Sequence, residues 1–102
     1  MARLLVLYAT PPDPAAFDQH YADVHISLVH ALPGLQKFDL STGPINSPAG
    51  PSAFHAIATL TFADLPSLAA ALSSPEGQAA KADAQTLMAP GSQLLFFDTR
   101  EV

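Results

Sequence analysis

Asp13-Pro14-Ala15-Ala16-Phe17-Asp18-Gln19-His20-Tyr21-Ala22-Asp23-Val24-His25-Ile26-Ser27-Leu28-Val29-His30-Ala31-Leu32-Pro33-Gly34 reads as one amphipathic helix with both ends marked. Asp13 is a good N-cap, because its carboxylate can accept from the free N–H groups of the first turn. Pro14 suits the first helical position, where it has no hydrogen bond to lose. Phe17, Tyr21, Val24, Leu28 and Leu32 then recur at spacings of four and three, which lines one helical stripe. Pro33-Gly34 stops it.

On the N-terminal side, Leu4 to Ala9 is a continuous apolar run closed by Thr10-Pro11-Pro12-Asp13-Pro14, a buried strand followed by a stop. On the C-terminal side, 35–43 alternates weakly, with Leu35, Lys37, Asp39 and Ser41 on one side and Gln36, Phe38 and Leu40 on the other. Residues 43–52, rich in Gly, Pro and Ser, read as an irregular loop of unusual length, and long loops are often functional. Phe54 to Phe62 is the clearest strand, with Phe54, Ala56, Ala58, Leu60 and Phe62 opposite His55, Ile57, Thr59 and Thr61. Asp64 caps a second helix over 65–72. A break at Ser73-Ser74-Pro75 restarts helix to about Met88, with Ser73-x-x-Glu76 resembling a capping box. Leu94 to Asp98 is the last strand.

The order is β-α-β-β-α-β in one domain spanning 1–102. Right-handed crossovers turn this order into an α+β ferredoxin-like sandwich, a four-stranded antiparallel sheet with both helices on one face. The uncovered face should then be polar. Instead the first strand carries Leu5 and Leu7 on one side and Leu4, Val6 and Tyr8 on the other, and the last carries Leu94 and Phe96 against Leu95 and Phe97. A sheet apolar on both sides predicts a homodimer, two copies packed by two-fold symmetry. The alternative is that short strands simply read as apolar on both faces. The composition agrees with a covered surface: 49% of residues are hydrophobic and 13% charged. A chain this small buries only roughly 65% of the surface it exposes when unfolded.

The nine acidic residues outnumber the four basic ones, Arg3, Lys37, Lys81 and Arg100, which form no patch. Phosphate neutralisation and polybasic membrane docking both need clustered cations, so neither a nucleic-acid nor a membrane partner is expected. The chain has no cysteine, which excludes disulfides, thiolate nucleophiles and cysteine-ligated metals. The apolar N-terminal run is too short for a signal peptide and no stretch approaches a transmembrane span. A cytoplasmic protein is expected.

Four histidines can titrate near neutral pH. His20, His25 and His30 follow at intervals of five, about 140° of rotation on an α-helix, so successive members point to different sides. A zinc-binding pair wants a spacing of three or four, so no metal site is expected. Relative to the apolar stripe, His25 falls on one flank, His20 on the other, and His30 points to solvent. Taken alone, His25 reads as an edge residue bonded to backbone. Its other reading is a working residue at the border of helix and sheet, with Tyr21 one turn away. Tyr8 and His55 face the same side of the sheet or opposite sides, which the residues leave open. Asp23 and Asp39 are available to orient a histidine. No phosphate loop, nucleophile elbow or paired-carboxylate motif is present.

His20-Tyr21-Ala22-Asp23-Val24-His25, with Leu32-Pro33-Gly34-Leu35 beyond it, resembles the EthD family. That family shows His-Tyr-x-x-x-His on its first helix and a Leu-Pro-Gly-Leu exit into the second strand. Phe62-Ala63-Asp64-Leu65, Leu72-Ser73-Ser74-Pro75-Glu76-Gly77-Gln78-Ala79-Ala80 and Asp83 resemble it too. Ser27 departs from it, since many members carry proline after the histidine. The resemblance implies a dimeric α+β barrel and raises His25 to the leading functional candidate. The family is named for a component of bacterial ethyl tert-butyl ether degradation that accompanies a cytochrome P450 system, and it is commonly filed under oxidoreductase activity. Wider relatives include muconolactone isomerases, polyketide cyclases and cofactor-independent monooxygenases, so fold alone does not choose a reaction.

Three functions fit. In the first, a cofactor-free enzyme uses His25 as general base or acid on a small hydrophobic or aromatic molecule. Tyr21, with Tyr8, His55 or His20, would bind the substrate and its developing oxyanion. In the second, a non-catalytic protein holds such a molecule for a partner oxidoreductase. The third is a purely structural dimer.

Overall fold

The computed structural model describes residues 1–102. Strand β1 (Ala2–Ala9) leads into a helical rod of three segments: α1 (Pro14–His20), a π-turn (Tyr21–His25) and α2 (Ile26–His30). There follow β2 (Lys37–Leu40), β3 (Asn46–Ser47), β4 (Gly50–Pro51), β5 (Phe54–Phe62), α3 (Leu65–Ser73), α4 (Pro75–Leu87) and β6 (Gln93–Asp98). The main sheet has the order β2-β5-β1-β6, every neighbour antiparallel. Three helical stretches cover one of its faces, the ferredoxin-like α+β arrangement. The molecule measures 35 × 34 × 20 Å, and the short axis is the thickness of two layers.

Local chemistry sets the element ends. Asp13 Oδ1 accepts from the Ala16 N–H at 3.1 Å, and Asp64 Oδ1 from the Ser67 N–H at 2.8 Å. At the break between α3 and α4 the cap is Ser74 rather than Ser73. Its Oγ accepts from the Gly77 N–H at 3.0 Å and donates to the Ala71 carbonyl at 2.6 Å. The hydroxyl one residue later can serve both helix ends, so the expected capping box does not form. Within 43–52 the expected irregular loop is a miniature hairpin, β3 paired with β4, and Ser47 Oγ donates to the Gly50 carbonyl at 2.9 Å. Gly50 makes that turn at φ +121°, a conformation side chains disfavour.

Two one-residue irregularities alter which side chains face the helix–sheet interior. In the rod, the Ile26 N–H bonds to the Tyr21 carbonyl, five residues back. A four-residue step on an α-helix drifts by about 40°, and the wider π-turn takes that drift back. The buried series is therefore Phe17, Tyr21, His25, Val29 and Leu32, while Val24, expected in the stripe, is 39% exposed. In β5, Tyr8 pairs with Ala56 but Ala9 with Phe54, so His55 is an extra, bulged residue. A bulge re-aims the side chain it carries. His55 leaves the alternation of Ile57 and Thr59 and packs its ring edge-on against Phe17 of α1, 5.0 Å between centroids.

Candidate functional site

Five candidate residues, Tyr8, His20, Tyr21, His25 and His55, lie on the helix side of the sheet in two groups. His25 is 3% exposed at the centre of the helix–sheet interface. Its Nδ1 lies 2.9 Å from Asp83 Oδ2, and His20 Nε2 lies 2.7 Å from Asp83 Oδ1. Asp83, on α4, thus joins two histidines through its two oxygens. The expectation that His20 and His25 sit on opposite flanks assumed a regular α-helix. A π-turn holds more residues per turn than an α-helix, which swings His25 back toward the side of His20, so that both reach Asp83. The other two carboxylates considered as orienting groups are elsewhere: Asp23 is exposed, and exposed Asp39 lies 3.8 Å from Lys37 Nζ.

Burial pushes the Asp83 carboxyl up, but the hydrogen bonds and charge of His20 and His25 outweigh it and hold the group below its ordinary value. Asp83 is therefore a carboxylate and can only accept, so the bond from His25 runs from Nδ1–H to Oδ2. In the neutral ring the lone pair of His25 then lies on Nε2, which makes no hydrogen bond to protein. A histidine held in one tautomer by a carboxylate is oriented to act as a base at its other nitrogen.

Tyr21 and Tyr8 complete this group. The Tyr21 and His25 rings lie 5.0 Å apart, and Tyr8 meets Tyr21 edge-on at 5.8 Å. Burial raises the Tyr8 phenol to about 12, slightly offset by the neighbouring Tyr21 hydroxyl and reinforced by the charge of Asp83. Burial raises Tyr21 as well, with the charge of Tyr8 second. The two hydroxyls interact, yet Tyr21 Oη is buried with no hydrogen bond of acceptable geometry. Tyr8, Tyr21 and His25, with Lys81 at one side, line a mostly apolar cavity of about 40 Å³, room for about one water molecule. It runs past Leu72 and Lys81 to Leu94 on the exposed strand β6.

His20 and His55 border two other clefts. His20, its side chain 40% exposed, lies with Asp83 in an open cleft of about 680 Å³ between the start of α1 and the end of α4. His55 lies in a cleft of about 620 Å³ under the 43–52 hairpin, where its Nε2 is 2.7 Å from Asp18 Oδ1. Tyr21 separates the latter from the central cavity and lines both. His30 is exposed, its ring 5.5 Å from that of Phe38. No three histidine or carboxylate groups converge on a point a metal ion could occupy.

Asp83 is the residue that a reading of the chain leaves without a role. It falls 58 positions after His25. Its one signal is its place in the run 72–83 that carries the family resemblance.

Fold and site together define a ferredoxin-like α+β protein with a buried histidine–carboxylate pair. Residues 10–91 match the model of the EthD domain, and the chain belongs to the EthD family. It is 38% identical over its whole length to an uncharacterised 11.0 kDa protein encoded between thcB and thcC in Rhodococcus erythropolis, covering 98% of that protein. The crystal structure of an EthD-family protein from Bacillus halodurans superimposes with TM-score 0.89 at 31% identity, over 98% of this chain and 99% of that one. At the level of fold alone, the chain resembles SnoaB, a cofactor-independent oxygenase from Streptomyces nogalater, with TM-score 0.70 and 15% identity over 99% and 94% of the two chains. A dimeric ferredoxin-like protein from Jannaschia shares the fold at TM-score 0.67 and 19% identity, over 96% and 97%.

Proposed function

We propose that this protein is a cofactor-independent enzyme of the cytoplasm in which His25 is the general base for a small hydrophobic or aromatic substrate. The observation that carries it is the 2.9 Å contact of His25 Nδ1 with Asp83 on a ring only 3% exposed, beside two buried tyrosine hydroxyls. Asp83 holds the ring, Nε2 takes a proton from carbon alpha to a carbonyl or from a phenol, and Tyr21 or Tyr8 donates to the oxygen that becomes negative. That step is common to isomerases, cyclases and cofactor-free oxygenases, and SnoaB, whose fold this chain shares, is a cofactor-independent oxygenase. The reacting end of the substrate enters from the Leu72, Lys81 and Leu94 side, since the cavity itself is too small for a ring.

The working unit is a homodimer formed by the open sheet faces. Leu5, Leu7 and Ile57 lie half-buried on that face, Leu95 and Phe97 are exposed on it, and Arg3 Nη1 is buried there without a partner. A second copy would cover the apolar groups and bring acceptors to Arg3.

The test is turnover of a panel of phenols, ketones and lactones by the wild-type protein and by His25→Gln. Loss of a general base costs about 10²–10⁴-fold, with Asp83→Asn showing a smaller loss and an altered pH profile. Full activity in His25→Gln would overturn the assignment. A compound that binds tightly and is recovered unchanged would favour the second reading, a non-catalytic carrier serving a partner oxidoreductase.

A further inference from the structure

We propose that the cleft beneath the 43–52 hairpin is a second ligand site, built for a small neutral ring bearing a hydroxyl group, a phenol. Its volume of about 620 Å³ lies within the range of about 300–1,000 Å³ typical of small-molecule pockets. Phe17 and Phe54 line it together with Ile45 and Pro51 of the hairpin. Of the groups in the proposed chemistry of His25 only Tyr21 borders this cleft, and the hairpin takes no part in it.

The polar chemistry of the cleft has one focus. The bulge in β5 turns His55 away from the open sheet face and into the cleft. Asp18 Oδ1, 2.7 Å from Nε2, is a carboxylate acceptor and so fixes the proton on Nε2 in the neutral ring. Nδ1 then carries a lone pair that no protein donor meets. A ligand that satisfies it must bring a hydrogen-bond donor.

Charge narrows the class further. No lysine or arginine lines the cleft, Asp18 stands 65% exposed at its rim, and the chain carries a net −5. Carboxylates and phosphates therefore meet repulsion and no counter-charge. Aromatic walls favour a flat apolar body: Phe17 and Tyr21 stack at 5.7 Å with 22° between planes, and Phe17 meets His55 edge-on. A neutral phenol satisfies all three conditions, with its ring against the aromatic wall and its O–H donated to His55 Nδ1.

This site does not rest on the acid–base role of His25, and the two fail separately in one experiment. The protein is titrated with 4-methylphenol and, in parallel, with 4-methylbenzoate, the His55 ring and the amides of Ile45 and Ser52 being followed by NMR. The expected result is saturable movement of these signals with 4-methylphenol and binding at least about tenfold weaker, a difference of about 1.4 kcal/mol, for the benzoate. His55→Phe keeps a ring against Phe17 but has no Nδ1 and should weaken 4-methylphenol at least as much. Ile45→Trp, a substitution in the hairpin outside the core, should crowd the cleft and weaken 4-methylphenol binding. His25→Gln should leave the titration unchanged. Saturable shifts at His25 and Leu94 with His55 still, equal affinity for the two probes, or no shift in the cleft at saturating 4-methylphenol would each overturn the proposal.

Discussion

Among single residues, the two tyrosines make the strongest claim on measurement. They are the chain's only tyrosines and there is no tryptophan, so phenolate absorbance near 295 nm reports Tyr8 and Tyr21 alone. Both hydroxyls lie in the apolar interior and both are raised, Tyr8 to about 12. In the unfolded chain each returns to an ordinary value near 10. The folded state therefore keeps its full advantage below pH 10 and loses it as pH climbs toward 12, because ionisation favours the chain that can hydrate a phenolate. The expected titration shows almost no phenolate at pH 10.5 in the native protein and a rise that tracks loss of far-UV circular dichroism. In denaturant both groups should ionise near pH 10. A native protein with one phenolate formed at pH 10.5 would place that hydroxyl in contact with water and dismantle the buried oxyanion site.

At the level of elements, the elbow between α3 and α4 sets where Asp83 stands. Gly77, in the first turn of α4, packs against the last turn of α3, and a methyl group there would run into the backbone carbonyl oxygens of Ala71 and Leu72. Backbone cannot swing aside as a side chain does, so Gly77→Ala must widen the elbow. The expected cost is about 1–3 kcal/mol, read as a lower urea midpoint. The same movement carries Asp83 away from His20 and His25, so the His25 Nδ1–H resonance should broaden or shift. An unchanged midpoint and an unchanged resonance would mean that the two helices are not rigidly joined. The π-turn matters at this scale too. Its wider turn sets both histidines against one carboxylate and puts His25 in the core.

For the whole molecule, what stands out is a missing third layer. Only 20 of 102 residues are buried, and strand β6 displays Leu94, Leu95, Phe96 and Phe97 in succession, each at least 38% exposed. An apolar edge strand of that kind invites association. Leu5 and Leu95 are paired neighbours on the open face, so a lysine there would be buried in any face-to-face dimer. Analytical ultracentrifugation should give about twice the 10.7 kDa chain mass for the wild type. Leu95→Lys should move the mass to one chain with its far-UV spectrum retained. A wild-type protein sedimenting as a monomer at micromolar concentration would remove the second copy from the proposed working unit.

The chain alone dictates the β-α-β-β-α-β order, the Asp13 and Asp64 caps, the limits of β5 and the apolar character of both sheet faces, but not the 43–52 hairpin. These depend on hydrogen bonds and periodicities within a few residues, and such signals are written locally. It also pointed to His25, Tyr21 and Tyr8, which do share a cavity. Tertiary structure alone decided which groups meet. Asp83 reaches His20 and His25 from a helix far along the chain, and Asp18 reaches His55 across the helix–sheet gap. The π-turn and the bulge at His55 each shift facing by a single residue, about 100° on a helix and 180° on a strand. One residue too many leaves no mark on composition or periodicity, because it is selected by the packing of the surrounding layers. Hence candidate histidines and tyrosines could be named from the chain, while the pairing of His20, His25 and His55 with their carboxylates could not.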